Sequence, residues 1–154
     1  MKKLVIAFTV ILLLPGWLMA GVDEDKEAIK QVVTSAYVNG LQNKGPVEDI
    51  EAGFHPGFEL LGVRNNELTK WPIYSWVEVH QKRLEEDPGP PKAEEVVSSK
   101  FPMIDVTGSA AIAKVELYKG GKIIFTDYLS LYKFEEGWRI VNKIYYRHEQ
   151  KNTD

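Results

Sequence analysis

The sequence predicts an α+β domain in which three N-terminal helices pack on one face of a strongly curved, mostly antiparallel sheet. Three observations predict it. Apolar residues recur at helical spacing only before residue 87. From residue 94 onward the chain is a series of β-branched and aromatic runs separated by short turns. Between these halves lies Asp87-Pro88-Gly89-Pro90-Pro91, where three prolines and a glycine can continue neither regular structure. A chain of 154 residues is the size of one domain with one core.

From Asp23, the residues Ile29, Val32, Val33, Ala36, Tyr37, Gly40 and Leu41 fall at i, i+3, i+4, i+7 steps, which predicts one amphipathic helix of about five turns. Asp23, Glu24 and Asp25 crowd its start, where the helix dipole favours carboxylates, and Gly40 to Gly45 end it. A short helix follows from Pro46 to Ala52, with proline at a first helical position. Residues 54–64 read as a strand, turned by Asn65-Asn66, and a brief strand covers 67–70. The stripe Ile73, Trp76, Val77, His80 and Leu84 predicts a third helix over 72–86. Strands are then predicted over 94–106, 110–119, 122–134 and 138–148, joined by Thr107-Gly108-Ser109, Gly120-Gly121 and Glu135-Glu136-Gly137, so that they form an antiparallel meander.

The first twenty residues stand apart from this domain. Lys2 and Lys3 make a basic start, Leu4 to Leu14 is apolar but for Thr9, and Pro15-Gly16 precedes Leu18-Met19-Ala20, which is the layout of a secretory signal peptide cleaved after Ala20. The expected product is one domain, residues 21–154, in the periplasm or secreted. An uncleaved anchor is the alternative, since Leu4 to Val22 approaches the roughly 20 residues that span a bilayer. No cysteine occurs anywhere, so neither a lipid-modified cysteine nor a disulfide is available, and stability rests on burial. Loss of Lys2 and Lys3 takes the formal charge from −3 to −5; a mildly acidic domain without a basic block is expected to bind neither nucleic acid nor, once the signal is removed, membrane.

Three segments carry a family resemblance: AIKQVVTSAYVNGLQNKG (28–45), FHPGFELLGV (54–63) and FTDYLSLYKFEEGWRIVNKIYY (125–146). Together they resemble the nuclear transport factor 2-like superfamily, and within it the branch called putative lumazine-binding proteins. The resemblance implies a cone-shaped fold, a pocket between the inner sheet face and the helices, and pairing of two copies through their sheets. It implies little about chemistry, because one scaffold hosts many functions.

Asp127 interrupts the apolar run of the predicted strand 122–134, on the face that also holds Ile123, Phe125, Leu129 and Leu131. Read as a three-residue loop with Gly137 left-handed, Glu135-Glu136-Gly137 pairs Phe134 with Trp138 and Asp127 with Tyr145, with Lys143 and Arg147 in diagonal reach. Read as a two-residue loop, it pairs Phe134 with Gly137 and Asp127 with Ile144, with Asn142 and Tyr146 as diagonal neighbours. A buried carboxylate needs a cation or several donors. Asp127 is thus a brace paired with Lys143 or, alternatively, a polar anchor in the pocket.

Among the three histidines, His55 enters a strand before Pro56, His80 lies on the third helix's apolar stripe and His148 is in the tail. No pair has metal-ligand spacing, and no metal or cofactor is expected. Of the large rings, Trp76 and Trp138 are expected to fill the core, while Tyr37, Trp71 and Tyr145 are placed facing the cavity, where they would stack on a small aromatic or apolar ligand. The ligand-binding set is therefore Tyr37, His55, Trp71, Asp127, Asn142, Lys143 and Tyr145. The leading expectation is a non-catalytic ligand-binding domain. The alternatives are an isomerase or dehydratase moving a proton with Asp127 or His55, and an interaction module using outer-face rings such as Tyr128 and Tyr132.

Overall fold

The computed structural model describes residues 16–149, with side chains from residue 21 onward. The expected signal peptide, apart from the backbone of 16–20, lies outside the described residues. Helix α1 (Gly16–Val32) runs without interruption into a π-helical segment (Val33–Gln42), followed by α2 (Val47–Gly53), strands β1 (Phe54–Arg64) and β2 (Glu67–Pro72), and α3 (Ile73–Glu86). A 3₁₀ turn (Ala93–Glu95) leads to β3 (Val97–Thr107), β4 (Ala110–Lys119), β5 (Lys122–Phe134) and β6 (Gly137–Arg147). Among the described residues no helix is long and apolar enough to cross a membrane.

The helices pack on a curved, open sheet of six strands in the order β2-β1-β6-β5-β4-β3. Consecutive strands are antiparallel, as the short turns predict, and only β1 and β6 run parallel. The Asn65-Asn66 turn has both residues at positive φ (52° and 63°), the backbone that joins two right-twisted strands in a two-residue loop. Register shifts interrupt each pairing except β1 with β2, and such bulges bend a sheet. The core lies in the concavity, where Ile29, Val33, Tyr37 and Ile50 from the helices meet Phe54, Phe58, Val115, Leu129 and Ile140 from the strands.

Two features of the first helix differ from the sequence expectation. Among the described residues it already spans Gly16–Val32, so Asp23, Glu24 and Asp25 lie within it and not at its first turn. Asp25 instead reaches the far end of the sheet: its Oδ1 accepts from Lys133 Nζ (2.7 Å) and Trp138 Nε1 (2.9 Å), and the Lys133 contact leads in lowering its pKa. The second half widens to a π-helix, in which Val33, Ala36, Tyr37, Val38, Gly40 and Leu41 are all buried. The i, i+3, i+4 recurrence of apolar residues does not distinguish the two windings. The wide segment touches both the sheet and α2, and closeness to α2 requires Gly53, where a Cβ would stand 2.3 Å from that of Ala36.

The hairpin β5–β6 resolves the question of register in a way neither reading of the turn anticipates. Phe134 pairs with Gly137, as in the two-residue reading, and Leu131 with Ile140; Ser130 then pairs with Asn142, leaving Val141 as an extra residue on β6. Beyond this bulge Asp127 pairs with Tyr145, the partner expected from the three-residue reading. The bulge inverts the parity of β6, so that Trp138, Ile140 and Lys143 are all buried.

Candidate functional site

Three polar side chains meet inside the concavity. Asp127 and Tyr37 are fully buried and Lys143 is 4% exposed. The Tyr37 hydroxyl donates to Asp127 Oδ2 at 2.7 Å and accepts from Lys143 Nζ. Nζ also lies 3.0 Å from Asp127 Oδ1, an ion-pair distance, but off the line of a hydrogen bond, so Oδ1 accepts none and this contact is Coulombic. Asp127 and Lys143 are diagonal neighbours on β5 and β6, and Tyr37 arrives from the π-helical segment 90 residues away in sequence. Burial, then the charge and hydrogen bond of Asp127, raise the Tyr37 phenol well above its ordinary range, so it stays protonated. Burial lowers the Lys143 ammonium, and the charge of Asp127 opposes that shift.

The ammonium sits among aromatic rings, 4.5 Å from the centroid of Tyr37, 5.3 Å from Trp76, 5.4 Å from Tyr145 and 5.8 Å from Phe125. These same residues, with Gln42, Leu60 and Arg147, line a cleft of about 290 Å³. Trp76 forms one wall, with its ring 6.2 Å from that of Trp71 and nearly parallel to it. Tyr145 reaches across toward β1, where its hydroxyl lies beside the open face of Gly62.

The fold brings together only some of the residues singled out from sequence. Tyr37, Lys143 and Tyr145 line the cleft, Asp127 lies directly behind Tyr37 and Lys143, and Trp71 adjoins the cleft through Trp76. His55 does not join them: its ring stacks on Phe134 at 4.8 Å and its Nδ1 accepts from the Gly57 amide at 3.0 Å. Asn142 points to the β1–β6 seam, where it donates to the Glu59 carbonyl at 2.8 Å. Trp138 fills the core as expected, whereas Trp76, expected there too, is only partly buried and walls the cleft. A helical stripe shows which residues turn inward but not which of them stop short of contact. Phe125, Leu60 and Gln42 carry no sequence signal that separates them from ordinary apolar or surface positions.

Beside the cleft, His80 fastens the end of the π-helical segment. It is buried; its Nε2 lies 2.9 Å from the Gly45 carbonyl, and Arg83 reaches its Nδ1 at 3.0 Å and the Leu41 carbonyl at 2.5 Å. The carbonyl and the guanidinium together assign a neutral ring with the proton on Nε2. Burial lowers the His80 pKa from its ordinary 6.5, the Gly45 bond opposes this, and the charge of Arg83 adds to it. A base with a depressed folded-state pKa binds fewer protons folded than unfolded within the window below 6.5. Stability should therefore be full above that value and decline as pH falls through the window. Urea midpoints between about pH 8 and pH 5 check this, and His80→Gln should flatten the slope. Equal slopes for the two proteins would contradict it.

Residues 24–146 match the family model described as putative lumazine-binding. No match is found among curated proteins. Among solved structures, the chain is similar to a nuclear transport factor 2-like protein of unknown function from Shewanella baltica, with 27% identity and a TM-score of 0.63 over 84% of this chain and 97% of the other. A second, from Methylobacillus flagellatus, shares 25% identity at a TM-score of 0.61, covering 82% and 94% of the two chains. A third, from Silicibacter pomeroyi, shares the fold at 22% identity and a TM-score of 0.65, covering 82% and 98%.

Proposed function

The chain belongs to the putative lumazine-binding family of nuclear transport factor 2-like proteins, and from that premise we propose that it binds a small, flat, fused-ring ligand in the cleft beside Tyr37 and Lys143, without chemically changing it. One observation carries this reading: a cleft walled by Trp76, Phe125 and Tyr145 has a single buried ammonium at its base. Rings supply a stacking surface and one charged donor fixes orientation, the usual composition of a small-molecule site. The volume of about 290 Å³ suits a ligand of two or three rings.

Proton transfer is less well supported. Asp127 is fully buried behind Tyr37 and Lys143 and is occupied by both, so a ligand in the cleft meets those two side chains first. His55, the other candidate base, is stacked on Phe134 and bonded to its own turn. A general base must reach the proton it removes.

The proposal extends to two copies pairing through the outer sheet face. Tyr128 stands opposite Ile144, and with Ile112, Tyr132 and Tyr146 they are exposed on the convex side. A patch of that kind suits an isologous contact. The basic start, the apolar run and the Pro15-Gly16 break before Ala20 support export to the periplasm or beyond, although Leu18 departs from the small residue preferred two positions before Ala20. Native mass spectrometry of the protein purified from its own compartment tests these points together: a dimer carrying a small-molecule adduct is expected, lost in denaturing solvent. A bare chain that takes up no aromatic compound from a mixed library would overturn the binding reading.

A further inference from the structure

We infer that the ligand of this cleft is an aromatic molecule carrying one negative charge. The inference rests on the cleft being a ligand site and adds the sign of its occupant. The chain as a whole is formally −3, yet the charged side chains lining the cleft are Lys143 and Arg147, both cations. The carboxylate nearest Lys143 is that of Asp127, which is fully buried, does not line the cleft and is occupied by Tyr37 and Lys143. It offsets one of the two positive charges. Among the described residues no carboxylate lies in ion-pair range of Arg147. About one positive charge is therefore left facing an occupant whose binding displaces water, and displacement strengthens every Coulomb contact.

The strand sets the geometry. Lys143, Tyr145 and Arg147 alternate along one face of β6, so about 13 Å separates the first Cα from the last. An aromatic acid fits that line, with its rings on Tyr145 and Trp76, its far edge toward Lys143 and its carboxylate on the Arg147 guanidinium. Arginine holds a carboxylate through two parallel N–H bonds, which also fixes the plane of the ligand. A cationic ligand would be repelled by Arg147, and a neutral one would leave the Arg147 charge at the rim of the cleft uncompensated.

The test compares 2-naphthoate with 2-naphthamide, isosteres that differ in charge, titrated into the wild-type protein by calorimetry and tryptophan fluorescence. Naphthoate should bind about 10-fold or more tightly than the amide, as a charge-assisted hydrogen bond implies. Arg147→Gln, a change at an exposed position, should remove most of that difference by weakening naphthoate far more than the amide. Equal affinities, or a preference for the amide, would sink the charge assignment while the cleft remains a ligand site. Naphthoate binding that survives Arg147→Gln unchanged would sink the role of Arg147. If neither probe binds saturably, both the assignment and the site it rests on fail.

Discussion

Replacing Lys143, which is buried, by methionine should destabilise the fold by about 3–5 kcal/mol. The reason is not the worth of the ion pair, since two charges taken out of water repay little beyond their desolvation. The reason is what the variant leaves behind: Asp127, fully buried, with Tyr37 as its remaining partner. The companion variant discriminates between these accounts. Asp127→Asn in the Lys143→Met background keeps an acceptor for the Tyr37 hydroxyl and removes the orphaned charge, so most of the lost stability should return. Urea denaturation of the two single variants and the double variant measures this as a cycle. A double variant no more stable than Lys143→Met alone would show that packing around the lysine stem, and not charge burial, sets the cost.

Trp76→Ala should cost about 3 kcal/mol, at the low end for truncation of a large ring because Trp76 is only partly buried. Its ring contacts are dense: Tyr37 at 6.0 Å, Phe58 and Trp71 at 6.2 Å, and Phe54 at 6.3 Å between centroids. Each well-placed aromatic pair contributes about 0.5–1.5 kcal/mol beyond its buried area. The same substitution removes a wall of the cleft, so binding of aromatic probes should weaken about 10-fold or more. Trp76→Phe retains a ring and should recover about half of both losses. A variant that loses stability but keeps full probe affinity would place the ligand elsewhere.

Much of the fold was legible from residue type alone. The limits of β4 and β5 follow the turns at Gly108, Gly120 and Gly121, all at positive φ, where residues with a Cβ rarely sit. Alternation along 122–134 correctly assigns Leu129, Leu131 and Asp127 to the buried face and Tyr128 and Tyr132 to the exposed one. The need of Asp127 for a partner was likewise readable, because a buried carboxylate requires a cation or several donors, but the two readings of the turn left Lys143 and Asn142 both open and the Val141 bulge decided for Lys143. The third member was not: Tyr37 reads as one apolar residue on a helical stripe, and its hydroxyl finds Asp127 only through packing between residues 90 positions apart.

By itself, then, the sequence determined the order of elements, the faces of the strands and the need of Asp127 for a partner, because periodicity, turn chemistry and the cost of burying charge act locally. Tertiary structure decided which residues share a cleft. Val141 bulges from β6 and inverts its parity, turning Lys143 inward; the first helix widens against α2 and the sheet, bringing Tyr37 onto the ion pair; and α3 leaves Trp76 short of full contact, so that it walls a cavity and does not fill it. Each of these outcomes depends on how distant segments fit together, and spacing along one segment carries no record of that fit.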